Sequence, residues 1–588
     1  MGDGELRGTD FARAYTALAD EWLGELLGDE PGVTLVALGG YGRGELCPHS
    51  DLDVLLVHDG RGDLGELANR VWYPIWDAGV RLDHSARTPR ETMRLARSDL
   101  KVAIGLLDAR PVAGAAAVAH ELRESATNQW QEHGRRFLAE LVRSTRRRHE
   151  SFGDLAFLLE PNLKEAKGGL RDITALRAAA VAAPFISQGD GMDAAGEVLL
   201  SARIELHRGG ARVNERLLLQ DQDDVAARLD YRDADELMAA IAGAARRVAW
   251  LGDEEWRRVD AWLEGPRGSR AARDRDVGPG LVVRDGELRL TEPLAGHDDG
   301  FALQAAAAAA TNDVRLSHDS LALLGGLAPL GDPWPAEARQ ALVALLGSGD
   351  PLIGLFEALD HHGVWSRLFP EWEPVRSRPQ RNAYHRFTVD RHLVEATRNA
   401  AAIRDRVERP DLLLVGALLH DIGKGYPGDH SEVGADLAAT MTTRMGFPAA
   451  DVEQVQRMVR LHLLLPDVAA RRDLDDEGTI DSVATKVVDL PTLELLGALS
   501  ESDGQATGES AWTPWRRTLL GELVERVRLR LEGRPHRPPA DAGRDDELLG
   551  RAGGDLLVVG EDRSVKVVAP DRPGLLSAIA GVLSLNGL

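Results

Sequence analysis

Apolar residues at Phe11, Tyr15, Leu18, Trp22 and Leu26 recur every three or four positions, which predicts an amphipathic helix over residues 10–28. The period then changes. Thr34-Leu35-Val36-Ala37-Leu38 is a short apolar run that breaks at a glycine-rich turn, Gly39-Gly40-Tyr41-Gly42-Arg43-Gly44, and Leu52-Asp53-Val54-Leu55-Leu56-Val57 resumes it. Short apolar runs bounded by turn residues read as buried strands. Val71 to Trp76 begins an apolar helix, and residues 80–85 read as a further strand. From about 115 to 265 the spacing is helical, interrupted by Leu159 to Lys164 and Lys167 to Ile173. Gly265 to Gly280 reads as a linker. Leu281 to Leu290 encloses Asp285-Gly286 between apolar residues, the pattern of a β-hairpin. Residues 300–375 return to helices, and Leu412 to Leu419 is an apolar run of helix length closed by Ile422-Gly423-Lys424-Gly425. After a second linker at His536 to Arg544, Ser564 to Leu576 reads as strand, turn and helix.

A chain of 588 residues is too long for one core and suggests three or four domains. With 44% hydrophobic and 28% charged residues it has the composition of a soluble globular protein. The net charge of −24 changes the picture more, because a protein whose main substrate is RNA or DNA usually carries basic surface. The balance favours a protein or small-molecule substrate and no nucleic acid. Cys47 is the only cysteine, so no intrachain disulfide is possible; it reads as a packing residue and fits a reducing cytoplasm. The acidic start, Met1 to Glu5, lacks the order of a signal peptide, and no apolar run approaches membrane-spanning length. A cytoplasmic location and no membrane partner are expected. Lysine occurs at only six positions, 101, 164, 167, 424, 486 and 566, and this arginine-rich usage suggests a GC-rich genome.

Two stretches carry chemistry. Side chains two apart on a strand share a face, so Asp51 and Asp53 would project together. Adjacent carboxylates repel unless a cation lies between them, and with phosphate oxygens from a substrate they make a Mg²⁺ site. Gly39, Gly40 and Gly42 allow backbone N–H groups close to a triphosphate, with Arg43 and Ser50 beside them. The second stretch is His420-Asp421. The same dipeptide occurs at His58-Asp59, His297-Asp298 and His318-Asp319, but only His420-Asp421 is delivered by a buried apolar helix. An ionisable pair there needs a reason, and metal coordination is the usual one. Candidate partners are His392, His430, His462 and Asp503. Imidazole and carboxylate suit a second divalent metal of the Mg, Mn or Fe class, which activates water against a phosphodiester, with Lys424 as a candidate to stabilise phosphoryl charge.

The glycine turn with Asp-x-Asp about a dozen residues on resembles the signature of the nucleotidyltransferase superfamily. Tyr41-Gly42-Arg43-Gly44-Glu45-Leu46 and Pro48-His49-Ser50 are similar to one branch of it, the bifunctional uridylyltransferase/uridylyl-removing enzymes that modify the signalling protein PII. Lys167-Gly168-Gly169-Leu170-Arg171-Asp172 resembles a segment of that family, with Lys164 and Arg171 as phosphate or protein contacts. Asp83, in Asp83-His84-Ser85, is the implied third carboxylate, helping to activate the attacking hydroxyl. The order His392, His420-Asp421, Asp503 resembles the HD phosphohydrolases, in which these four hold a metal; His430 and His462 match the extra histidines of members that bind a second ion or position phosphate. Asp571-Arg572-Pro573-Gly574-Leu575-Leu576 resembles the opening of an ACT domain. Two-element fragments rarely hold together in water, so the resemblance implies a sequence truncated within the first of two ACT domains and only weakly responsive to glutamine.

The fold expected from these resemblances is multidomain, α/β plus α-helical. It comprises a nucleotidyltransferase (polymerase β-like) domain at 1–115, a helical domain specific to PII uridylyltransferases at 116–265, and a linker, hairpin and helical connection at 266–375. An all-α HD domain at 376–530, a linker at 531–555 and a partial ACT domain at 556–588 complete it. The implied activity is transfer of UMP from UTP, or AMP from ATP, to a tyrosine of PII, and hydrolysis of that bond, with glutamine as effector. No residue decides between UTP and ATP. Two other classes are an RNA nucleotidyltransferase with an HD domain, disfavoured by the acidic balance, and a non-catalytic nitrogen-sensing scaffold, disfavoured by two complete ligand sets.

Overall fold

Four strands, β1 (Val33–Ala37), β2 (Leu52–His58), β3 (Leu82–Arg87) and β4 (Arg110–Gly114), form a sheet in the order β3-β2-β1-β4. The computed structural model describes residues 6–60, 64–186, 191–210, 214–265, 274–291, 296–380, 385–534, 546–561, 564–570, 572 and 574–585. β1 runs antiparallel to both β2 and β4, whereas β2 and β3 are parallel. A parallel pair needs a crossover, and the helix Leu64–Asp77 supplies it.

β1 is buried throughout and β2 nearly so, because the sheet is covered on both faces. Leu35, Ala37, Val54 and Leu56 pack with Leu23, Leu27, Val71, Trp72 and Ile75, that is, against the helices Gly8–Leu27 and Leu64–Asp77. Val36, Leu55 and Val57 point the other way, into a helical core that includes Leu106, Trp130, Leu141 and Leu176. Asp53 has the parity of Leu55 and Val57, so the strand aims it at the helical side.

The apolar Val71 to Trp76 stretch ends the helix Leu64–Asp77 rather than beginning one; its first turn is the more polar Leu64-Gly65-Glu66. The third strand is displaced by two residues from the expected 80–85. The hairpin forms as expected, Leu281–Arg284 against Glu287–Leu290, with positive φ at Asp285 (54°) and Gly286 (77°). Arg275–Gly278 adds a strand to it where a linker was expected to continue to Gly280, and residues 266–273 of that linker lie outside the described residues. So do the linker at 535–545 and Asp571 and Pro573 of the ACT-like turn. Near the C-terminal end, Leu557–Glu561 pairs antiparallel with Ser564–Val568, ahead of the helix Leu575–Leu585.

Between these parts lies a second large core, almost wholly helical, around Phe356, Trp365, Trp372, Leu413, Leu418 and Met458. The helix Pro410–Leu419 runs through it with every residue from Leu412 to Leu419 buried. No described helix is long and apolar enough to cross a membrane.

Candidate active sites

The first centre is a cleft of about 940 Å³ between the sheet and the helical core. Gly39, Gly40, Arg43, Ser50, Asp51, Asp53 and Asp83 line it on the sheet side, and Lys101, Arg147, Arg148, Lys164, Leu170 and Arg171 line it on the helical side. Asp53 and Asp83 are direct register partners across the parallel pair β2–β3. Burial raises the Asp53 pKa to about 6, reinforced by the neighbouring Asp83 and Asp51 charges and opposed by Lys101. Lys101 Nζ donates to Asp83 Oδ2 at 2.8 Å, and Arg81 Nε lies 3.0 Å from Asp51 Oδ1. Three carboxylates on one cleft wall offer oxygen donors, the type that suits a divalent ion bearing phosphates, although among the described residues closely gathered ligand atoms occur only at the second centre.

The glycine turn follows β1 as the short helix Gly39–Gly42. Gly39 and Gly40 face the cleft, but Gly42 packs into the fold: a Cβ there would lie 2.2 Å from the Asp108 carbonyl oxygen. Arg43 reaches the cleft wall with its guanidinium engaged by Glu45 at 2.8 Å and Asp108 at 2.5 Å. Ser50 Oγ accepts from the Cys47 amide at 3.2 Å, closing the turn that presents Asp51. Cys47 is buried, Arg203 Nη1 lies 2.9 Å from its sulfur, and burial pushes the thiol pKa up, as suits a packing residue. Lys164 lies 3.7 Å from Glu215, and burial lowers its pKa; Arg171 Nε lies 3.2 Å from Glu165.

The second centre draws on five helices. His392 sits in Val389–Ile403, His420 closes Pro410–Leu419, His430 opens His430–Arg444, His462 closes Ala449–Leu461, and Asp503 lies in Leu490–Thr507. A Cβ on Gly423 would stand 2.1 Å from the His430 carbonyl oxygen, so only glycine lets the two segments approach closely enough to bring His430 to Asp421. The donors form two sets, His392 with His420 and Asp503, and Asp421 with His430 and His462.

Asp421 joins them. Its Oδ2 lies 3.7 Å from His392 Nε2 and 3.5 Å from His420 Nε2, while its Oδ1 lies 3.7 Å from His430 Nε2 and 3.5 Å from His462 Nε2. His392 Nε2 is 3.0 Å from Asp503 Oδ1 and 3.2 Å from His420 Nε2. Donor atoms about 2.1 Å from one ion and at right angles are about 3 Å apart, so these separations suit shared coordination. The Nδ1 atoms of His420 and His462 face the Ala417 and Val459 carbonyls at 2.8 and 2.7 Å, an arrangement that directs each Nε2 lone pair inward. Asp421 Oδ1 and His462 Nε2 are buried without a hydrogen-bond partner, as atoms meant for an ion would be. Burial opposes ionisation of Asp421 and Asp503, yet Lys424 and His420 around the first and His392 and His420 around the second hold both well below the usual carboxylate range. Lys424 Nζ donates to Gln380 Oε1 at 2.7 Å and lies 2.6 Å from Asp421 Oδ2.

The other His-Asp pairs have local roles: His58 ends β2, Asp298 caps the helix Asp299–Thr311, and His318 begins a helix. Several cleft residues escaped the sequence reading. Lys101 and Arg147 are two of them, and His385, whose ring stands 5.5 Å from that of His392, is a third at the second centre. Lysine's scarcity was an available signal, since three of the six, Lys101, Lys164 and Lys424, lie at the two centres.

Residues 136–254 match the family model described as GlnD PII-uridylyltransferase, and residues 389–489 match the HD domain model. The chain is 42% identical to the bifunctional uridylyltransferase/uridylyl-removing enzyme of Streptomyces coelicolor, over 100% of this chain and 78% of that protein. It is 39% identical to the enzyme of the same name from Mycobacterium tuberculosis strain H37Rv, over 99% of this chain and 75% of the relative. The Corynebacterium glutamicum enzyme is 34% identical, over 85% and 72%. Identity of this extent, spanning both centres, makes the chain a member of the bifunctional uridylyltransferase/uridylyl-removing enzyme family.

Proposed function

We propose that this enzyme writes and erases one covalent mark on the PII protein, using the cleft to attach a nucleotidyl group and the histidine–aspartate centre to remove it. One observation carries the division of labour: a single chain holds both a cleft lined by Asp51, Asp53 and Asp83 and, apart from it, a cluster of imidazoles and carboxylates. Divalent ions there, magnesium in the cleft and an ion of the Mg, Mn or Fe class in the second centre, supply Lewis acidity toward phosphoryl oxygens and water.

In transfer, Asp51 and Asp53 orient the triphosphate with its cation, and Gly39 and Gly40 let the phosphates approach the backbone. Lys164 and Arg171 hold the phosphate tail or the partner protein. Asp83 accepts the proton of the attacking tyrosine hydroxyl. The tyrosine oxygen bonds to the α-phosphorus, the α–β phosphoanhydride bond breaks, and pyrophosphate leaves. In removal, water bonds to that phosphorus and the bond to the tyrosine oxygen breaks. His392, His420, Asp421 and Asp503 set the geometry, His430 and His462 complete the second donor set, and Lys424 steadies charge on the phosphoryl oxygens. Glutamine biases the balance toward removal.

UTP is the first donor to test, as the relatives' name implies, and ATP the second. Incubating the chain with PII and α-labelled UTP or ATP should label PII with one of them, and removal of the donor should release the label as the nucleoside monophosphate. PII left unlabelled by both overturns the proposal.

A further inference from the structure

Arg246 lies midway along the helix Ala234–Glu264 with its side chain 8% exposed. Its guanidinium meets Glu357 and Asp360 at 2.9 Å each and Asp390 at 3.1 Å, and it donates to Ser377 Oγ at 3.3 Å. Burial works against its charge, but Glu357, Asp390 and Asp360 hold its pKa above the ordinary arginine value. Desolvating one cation and three carboxylates is a poor way to stabilise a helix contact, since apolar side chains of similar volume often do as well or better. What a planar, multiply hydrogen-bonded guanidinium adds is direction.

The direction it sets is that of His392. Asp390 stands two residues before His392 in the first turn of Val389–Ile403, and it is fully buried. Arg391, between them, lies over the Phe157 ring at 4.4 Å and reaches Glu395 at 2.9 Å. The turn that leads into His392 is therefore anchored at Asp390 and Arg391, while His392 itself meets His420 and Asp503. The helix of Arg246 also backs the other centre. A Cβ on Gly168 would lie 2.5 Å from the Ala245 carbonyl oxygen, so the two backbones touch, and Lys167 Nζ reaches Asp253 at 2.7 Å. Gly168 leads directly into Leu170 and Arg171, which line the cleft.

We infer that Arg246 is a positioning residue of the nucleotidyl-removing centre, aligning His392 through Asp390 from a helix that also supports the transferase cleft. The inference rests on reading the second centre as a metal site. Arg246→Gln removes the charge, and Arg246→Lys keeps it without the fork. In an Asp51→Asn, Asp53→Asn background, Mn²⁺ binding is followed through the free-ion electron paramagnetic resonance signal. Mn²⁺ should bind about tenfold more weakly to the Gln variant, with partial recovery in the Lys variant. Circular dichroism should be unchanged, and in the chain with native Asp51 and Asp53 nucleotidyl transfer should persist. A folded Gln variant with unaltered Mn²⁺ affinity overturns the inference. If Arg246→Gln does not fold, Asp390→Asn, nearly the same shape, replaces it; unaltered affinity there overturns the inference equally. Failure of the proposed function would look different: PII neither labelled nor cleared by the native chain, while Mn²⁺ affinity still follows residue 246.

Discussion

Asp421 Oδ1 lies 3.5 Å from His462 Nε2, and neither buried atom has a hydrogen-bond partner among the described residues. Asp421 therefore stands between the two donor sets, with His392 and His420 facing one oxygen and His430 and His462 facing the other, and would serve whichever ion either set holds. His462→Ala leaves the His392–His420–Asp503 set intact, so removal of the nucleotide from PII should slow by at least about tenfold while transfer continues. Release of label from modified PII measures this, and an unchanged rate would show that the Asp421–His462 side is idle.

The two centres should fail separately. Asp51→Asn with Asp53→Asn should abolish transfer and spare removal, whereas His420→Ala with Asp421→Asn should do the reverse. Assaying both reactions on each variant decides it; joint loss in a folded variant would mean that one centre serves both reactions.

Transfer should have an acid limb near pH 6. The Asp53 pKa is raised to about 6, by burial first and by Asp83 next, so as pH falls through that value the carboxyl gains a proton and stops binding a cation. Lys101 opposes the shift, so Lys101→Met should move the limb to higher pH. The pH profile of kcat/KM for transfer reads this directly, and a limb displaced to lower pH would contradict it.

Chelation should stop both reactions, and the ions that restore them should differ. The oxygen-only cleft should recover with Mg²⁺, and the imidazole-rich centre should recover better with Mn²⁺ or Fe²⁺. Removal restored equally by Mg²⁺ and by Mn²⁺ would argue against this donor-set reading.

Gly423→Ala tests the packing that brings His430 to Asp421. Its Cβ would sit 2.1 Å from a backbone oxygen, a clash that no side-chain rotation relieves. A loss of about 1–3 kcal/mol is expected, with removal impaired more than transfer. Denaturant unfolding with both activity assays would show it.

Local pattern made some of this legible in the chain and hid the rest. Asp285-Gly286 announced its turn, because turn chemistry acts over a few residues, whereas Asp51 falls just before β2 and only Asp53 takes the strand's parity. His420-Asp421 stood out by the apolar helix before it, and the other histidines and Asp503 could be named only as an ordered set that resembles the HD phosphohydrolases. Asp83 could be placed on a neighbouring strand only through the family resemblance, and its direct register with Asp53 could not be read, since that depends on how β3 pairs with β2. Capture of Arg43 by Asp108, sixty-five positions away, and the reach of Lys101 to Asp83 depend likewise on tertiary placement. The Val71 to Trp76 stretch misled because apolar residues gather in the last turns of a helix whose beginning is polar.

Arg246 bears on how the chain can be dissected. A cut after residue 265, where sequence pattern marks a domain boundary, would strip Glu357, Asp360 and Asp390 from its guanidinium and open the surface they cover. The complementary piece would carry those carboxylates with no cation among them. Neither half is a natural unit: fragments meant to isolate writing from erasing should be insoluble or misfolded unless produced together, and point substitution rather than truncation is the route to single-activity forms.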